Sequence, residues 1–144
     1  MLSPLDPAAL LLWPSAAHLA LTAFLYLWLT GERAAAVIAR RNRYDDFIRS
    51  DVDQGRGARV AANLRNQFEA PPFFHMLILA LVLAGEPVVA QLILAWMFVA
   101  GRIAHTLVQT LTGNVLLRGA VFSINFLALC GMWVIFFVQM FNSA

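Results

Sequence analysis

The chain has 144 residues, of which 61% are hydrophobic and 12% charged, far greasier than a soluble domain, where roughly 45–50% apolar and 25% charged is usual. The formal net charge is only +2 and all ten basic residues are arginine. Six of those arginines share one short segment with five acids, so there is no clean basic stripe for nucleic acid, and the single cysteine excludes a disulfide framework or a thiolate metal cluster. The length suits one membrane domain over residues 1–144.

A spanning helix needs about 20 mostly apolar residues. The first such stretch runs from about residue 7 to 30, lacks a preceding basic residue and outlasts a signal peptide, so it reads as a retained span. Pro14 marks its first turns or kinks it, and Tyr26 and Trp28 suit an interfacial belt. His18 is expected near the opposite interface with a satisfied hydrogen bond. Residues 31–57 form the long hydrophilic loop, whose first part keeps helix-forming residues, so span one can continue into water before the chain breaks near DVDQGRG. Asp51, Asp53 and Gly55 superficially resemble a calcium loop, but the turn glycine and terminal Glu are missing from the required spacing.

Span two is expected over about residues 58–84. Its opening, RVAANLRNQFEAPPFFH, places Arg59, Asn63 and Asn66 near one helical face and Arg65 one turn before Glu69. Pro71 and Pro72 remove two backbone donors and force a bend or opening just beyond Glu69. After a Gly85–Glu86 turn, Pro87 suits the first position of span three, residues 87–109. There Arg102, His105 and Gln109 recur at spacings of three and four and share a face. The break TLTGN leads to Arg118 and a fourth span over about residues 119–141, in which Asn125 is expected to hydrogen-bond a neighbouring helix and Cys130 to be a buried inert thiol.

All ten arginines fall between spans one and two, in the adjoining end of span two, or around the span three to four connection. The positive-inside rule then puts both connections in the cytoplasm and both chain ends away from it. Antiparallel packing of spans two and three is expected to bring Arg59, Arg65, Asn66 and Glu69 level with Arg102, His105, Gln109 and Arg118. Four guanidiniums around one carboxylate invite an anion with several acceptors, either a small peptide with two carboxylates and an amine or a phosphate-bearing lipid head group. Arg65 with Glu69 also reads as an internal ion pair, and basic residues at such depths also snorkel to lipid phosphates. A transport subunit would need ionisable groups spread across the membrane or an inverted repeat, and the sequence displays neither.

These residues carry a resemblance. NQFEAPPFF with Arg65 before it resembles the second-helix signature Asn-x-x-Glu of the membrane-associated proteins in eicosanoid and glutathione metabolism, the MAPEG family, in the form of its bacterial members. GRIAHTLVQ, followed by Arg118, is similar to the third-helix motif and the following arginine of the prostaglandin E synthase and microsomal glutathione transferase branches. The resemblance implies an all-α, four-helix integral membrane protein, a homotrimer in a bacterial inner membrane, with glutathione bound between subunits near the cytoplasmic face. It implies that Asn66 and Glu69 hold the tripeptide, that Arg102 and His105 position it, and that Arg118 stabilises the thiolate. The implied activity is that of a glutathione transferase or peroxidase acting on lipophilic electrophiles or lipid hydroperoxides, and the family also contains non-catalytic lipid-binding or partner-presenting proteins. The chain has Gln109 where the enzymes commonly carry Tyr, Ala62 where they carry Arg, and Gly119 where the prostaglandin branch has Ser. These departures point to a general transferase or peroxidase over a specialised isomerase.

Overall fold

Residues 7–49, 52–84 and 87–142 are described by the computed structural model, in which every long element is helical. In chain order these are α1 (Pro7–Leu10), α2 (Leu12–Ile38), α3 (Gly55–Asn66), α4 (Pro71–Ala84), α5 (Val89–Leu111) and α6 (Val115–Asn142), with a 3-10 turn at Tyr44–Ile48. Together they make four rods long and apolar enough to cross a membrane: Pro7–Ile38, Gly55–Ala84, Val89–Leu111 and Val115–Asn142. Pro14 falls in the first turn of α2, where a missing donor costs little.

The first rod has 32 residues, about 48 Å at 1.5 Å per residue, against a hydrocarbon core of about 30 Å. Its far end therefore stands beyond the apolar layer. There Arg33 grips Asp53 through two hydrogen bonds of 3.0 and 2.7 Å, and Glu32 accepts from Arg56 at 2.6 Å and from Trp28 at 3.1 Å. These contacts dock the hydrophilic loop and the start of α3 back onto α2. The helix ends where Arg40 turns left-handed (φ 55°), with Arg40 N–H donating to Val37 O and Arg41 N–H to Ala36 O, both at 2.9 Å. The chain thus leaves α2 at residue 39, earlier than DVDQGRG. Asp51 lies outside the described residues.

The second rod opens where its prolines require. α3 stops at Asn66, and α4 restarts at Pro71, where the missing donors of Pro71 and Pro72 fall in a first turn. Between them Gln67 N–H closes on Leu64 O at 3.0 Å and Phe68 N–H on Arg65 O at 2.9 Å, a tightened end to α3. The rod begins three residues earlier than expected, at Gly55.

Two further boundaries differ from the sequence reading. Pro87 is not the first residue of α5, because Gln91 Oε1 accepts from Val88 N–H at 2.9 Å and fixes the helix start one residue after Val88. The expected Gly85–Glu86 turn lies outside the described residues. α6 starts at Val115 and not at Gly119, because Asn114 Oδ1 caps it by accepting from Leu117 N–H at 2.9 Å.

Two apolar clusters frame the interior. One joins Phe74, Leu77 and Leu81 of α4 to Phe98 and Val99 of α5 and to Leu129 and Met132 of α6, with Phe74 and Phe98 stacked at 4.4 Å. The other joins Leu25 and Leu29 of α2 to Val60, Ala61 and Leu64 of α3. α5 and α6 form the most extensive helix pair, and their closest approach is at Gly101, where a Cβ would meet Asn125 Cβ at 2.5 Å. The hydrogen bond expected from Asn125 to a neighbouring helix is absent among the described residues: its amide donates to Val121 O of its own helix at 3.1 Å.

Candidate functional site

Between the two apolar clusters lies a layer of buried polar side chains. α5 builds one wall of it, because Arg102, His105, Thr106 and Gln109 recur at helical spacing and are all buried. Arg102 is 0% exposed, a placement that a guanidinium tolerates only with good partners. Its Nη2 donates to Asn66 O at 2.9 Å and its Nε to Gln67 Oε1 at 3.3 Å. Asn66 is the last residue of α3, so its carbonyl lacks a helical partner. The break written by the two prolines thus supplies the acceptor that Arg102 uses.

The opposite wall is α3. Asn63 is fully buried, and its Oδ1 accepts from Thr106 Oγ1 and from Gln67 Nε2, both at 3.0 Å. Asn63 Nδ2 and Asn66 Nδ2 both donate to Gln109 Oε1, at 2.9 and 3.2 Å. With its oxygen doubly occupied, Gln109 has only its amide N–H groups left to offer a guest. Three buried side-chain atoms have no hydrogen-bond partner among the described residues: Arg102 Nη1, His105 Nδ1 and, on α6 against Gly101, Asn125 Oδ1. The His105 ring lies 5.9 Å from that of Phe122 on α6.

The remaining sequence-predicted residues distribute over three grooves. Arg59 and Arg118 are exposed, and both line a groove of about 250 Å³ with Gln109, Ala62 and Asn114. Arg118 sits in the first turn of α6. Glu69, in the α3–α4 break, is exposed and lines a groove of about 440 Å³ that is otherwise apolar, with Phe73, Phe122, Phe126 and Trp133. Arg65 points elsewhere, into a groove of about 400 Å³ with Tyr26, Arg33 and Phe68.

The four guanidiniums do not all converge within one chain. α3 carries Arg65 on the side facing α2, whereas Asn63 and Asn66 face α5, so Arg65 is separated from Arg59, Arg102 and Arg118 within one chain. The expected Arg65–Glu69 pair is also absent among the described residues. α3 ends before Glu69, so the helical register that would align the two is lost.

Sequence reasoning passed over Gln67, Thr106, Ser15 and His75, and did not link His18 to the site. His18 has the satisfied hydrogen bonds expected of it, but it is buried and its partners belong to the site: its Nε2 meets Gln67 Oε1 at 3.1 Å and its Nδ1 meets His75 Nε2 at 3.1 Å. Ionisable groups thus extend from Arg102 through His18 to His75, well beyond one end of the bundle. The available signal was Gln67 on the helical face of Asn63, one turn on.

No curated protein and no solved structure matches the chain. The sequence profile of the MAPEG family matches residues 11–138, nearly the whole chain. Members of that family include glutathione transferases and peroxidases, generally use glutathione and are often trimers. With four membrane-crossing helices and the profile extending across all of them, this integral membrane protein belongs to the MAPEG family.

Proposed function

We propose that the protein is a glutathione-dependent transferase or peroxidase whose second substrate is a lipophilic electrophile or lipid hydroperoxide drawn from the bilayer. The observation that carries this reading is Arg102: a guanidinium buried in the membrane layer, anchored on Asn66 and Gln67, with Nη1 still unpartnered beside His105 Nδ1. A buried cation with a free donor is matched by an anionic guest, and a carboxylate of glutathione supplies that match. Asn66, Glu69, Arg102 and His105 position the tripeptide, with Gln109, Arg59 and Arg65 as further donors. Arg118 stabilises the thiolate, since a cation in a helix's first turn favours loss of the thiol proton and creates the nucleophile.

Oligomerisation completes the site in this reading. Glu69, Arg65 and Arg118 are all exposed on the single chain and open onto different grooves, so a homotrimer can bring one copy's Arg118 to its neighbour's Glu69 and Arg65. In this reading the arginine-rich connections face the cytoplasm of a bacterial cell and both chain ends face away. The aromatic groove beside Glu69 suits the lipophilic partner.

That groove also supports a second reading, a non-catalytic lipid-binding or partner-presenting protein, which Gln109 and Ala62 in place of Tyr and Arg favour. Titration calorimetry of the detergent-purified protein with glutathione separates the two. The enzyme reading predicts saturable heat at millimolar glutathione or below, and no response argues for the lipid binder.

A further inference from the structure

The mid-membrane histidines belong to no part of the glutathione chemistry. Ser15 Oγ on α2 lies 2.8 Å from His75 Nδ1 on α4, His75 Nε2 lies 3.1 Å from His18 Nδ1, and His18 Nε2 lies 3.1 Å from Gln67 Oε1. With both imidazoles neutral, the surroundings allow this file one arrangement of protons. Gln67 Nε2 donates to the main-chain oxygen of Asn63 at 3.3 Å, and a carbonyl only accepts, so the amide is oriented with Oε1 toward Arg102 and His18. His18 Nε2 must then carry hydrogen, and its Nδ1 is left as an acceptor. His75 must donate from Nε2, which leaves Nδ1 bare to accept the hydroxyl hydrogen of Ser15.

That is the polarity of an activated nucleophile: hydroxyl to base, base to an orienting group, and the orienting group to a fixed anchor. Ser15, like Thr106 with Asn63, departs from the usual habit of helical hydroxyls. Thr22, Thr30, Thr110, Thr112 and Ser123 each donate to the carbonyl four residues back, whereas Ser15 turns to an imidazole. Ser15 and His75 are half-buried, and exposed apolar residues flank both, Leu12 and Leu19 on α2 and Met76 and Leu79 on α4. The hydroxyl therefore opens toward the hydrocarbon side of the bundle.

We propose that Ser15, His75 and His18 form an acyl-transfer triad acting on a lipophilic carboxylic ester presented from the bilayer. Ser15 Oγ forms a bond to the ester carbonyl carbon while its proton passes to His75 Nδ1. The carbon–oxygen bond to the alcohol then breaks, and the departing alkoxide takes that proton, leaving an acyl-serine and a free alcohol. Water attacks the acyl-serine by the same proton route, releasing the carboxylic acid and restoring the hydroxyl. His18 touches no substrate; it is a positioning residue that holds His75 through its bare Nδ1. Ser15, His75 and His18 are none of the residues assigned to glutathione; the two sites share only the anchor Gln67, which also accepts from Arg102, and labelling of Ser15 requires no glutathione.

The test is reaction of the full-length protein in detergent micelles with a long-chain alkyl fluorophosphonate, an ester mimic that phosphonylates activated serines, followed by peptide mass spectrometry. The expected result is modification at Ser15 with loss of fluoride, and none in Ser15→Ala. His75→Gln should slow labelling by about 100-fold, the range of a lost general base. His18→Asn keeps an acceptor for His75 and should label within about tenfold of wild type, while His18→Ala falls toward the His75→Gln rate. A wild-type Ser15 that resists the probe, or labelling equally fast in His75→Gln, overturns the proposal. If His75→Gln does not fold, the wild-type result decides alone.

Discussion

Arg102 and Asn66 are joined by a 2.9 Å hydrogen bond from a guanidinium nitrogen of one membrane rod to a main-chain oxygen of the next. The acceptor exists because α3 stops at Asn66, and it stops there because Pro71 and Pro72 forbid a continuous ladder. A local backbone defect is thus converted into a binding group. The same carbonyl, repaired by an unbroken helix, would leave Arg102 with little to hold.

Replacing Arg102 separates this binding role from folding. Arg102→Met leaves Asn66 O without its donor, so the unfolding free energy should fall by about 1–3 kcal/mol. Glutathione affinity should fall at least about tenfold, the size of one lost charge-assisted hydrogen bond. Arg102→Lys should not restore it, because a point charge cannot span Asn66 O and Gln67 Oε1. Thermal unfolding in detergent and titration calorimetry read the two effects separately.

Gly101 is where α5 and α6 come closest, and a methyl group there would press on Asn125 Cβ at 2.5 Å. Gly101→Ala should destabilise the protein by about 1–3 kcal/mol, as overpacking does elsewhere. Adding Asn125→Gly removes the opposing Cβ, and a double-mutant cycle on thermal unfolding should then show positive coupling.

Gln109 Oε1 takes two amide donors, one of them from a fully buried Asn63. Gln109→Leu leaves both donors without that acceptor and should cost about 1–3 kcal/mol. Gln109→Glu keeps the acceptor and should unfold closer to wild type in the same assay.

Arg118 is exposed in the first turn of α6 and packs into neither apolar cluster. Arg118→Ala should therefore leave thermal stability and the size-exclusion profile unchanged while lowering the glutathione conjugation rate by about 100-fold, the scale of one lost electrostatic stabiliser. Unchanged conjugation would remove Arg118 from thiol activation.

Much of this arrangement was legible in the sequence where a single helix determined it. Arg102, His105 and Gln109 share a face through their spacing alone, and the consecutive prolines after Glu69 forecast the opening of the second rod. Four apolar stretches of spanning length forecast the bundle. What required three dimensions was the division of α3 between two partners, which sends Asn63 and Asn66 to α5 but Arg65 toward α2. His18 and His75 are 57 residues apart, and no local pattern pairs them. Boundaries were missed for a different reason: Gln91 and Asn114 cap their helices through side chains, and the apolar runs that marked the spans say nothing of caps.

The central claim is that glutathione occupies the layer between α3 and α5, closed by a second copy of the chain. Cryo-electron microscopy of the detergent-purified protein with glutathione added tests it most directly. Density shaped like a tripeptide, touching Asn66, Glu69 and Arg102 of one subunit and Arg118 of its neighbour, is the predicted result. An acyl chain at that level, or subunits that meet without enclosing Glu69, would contradict it.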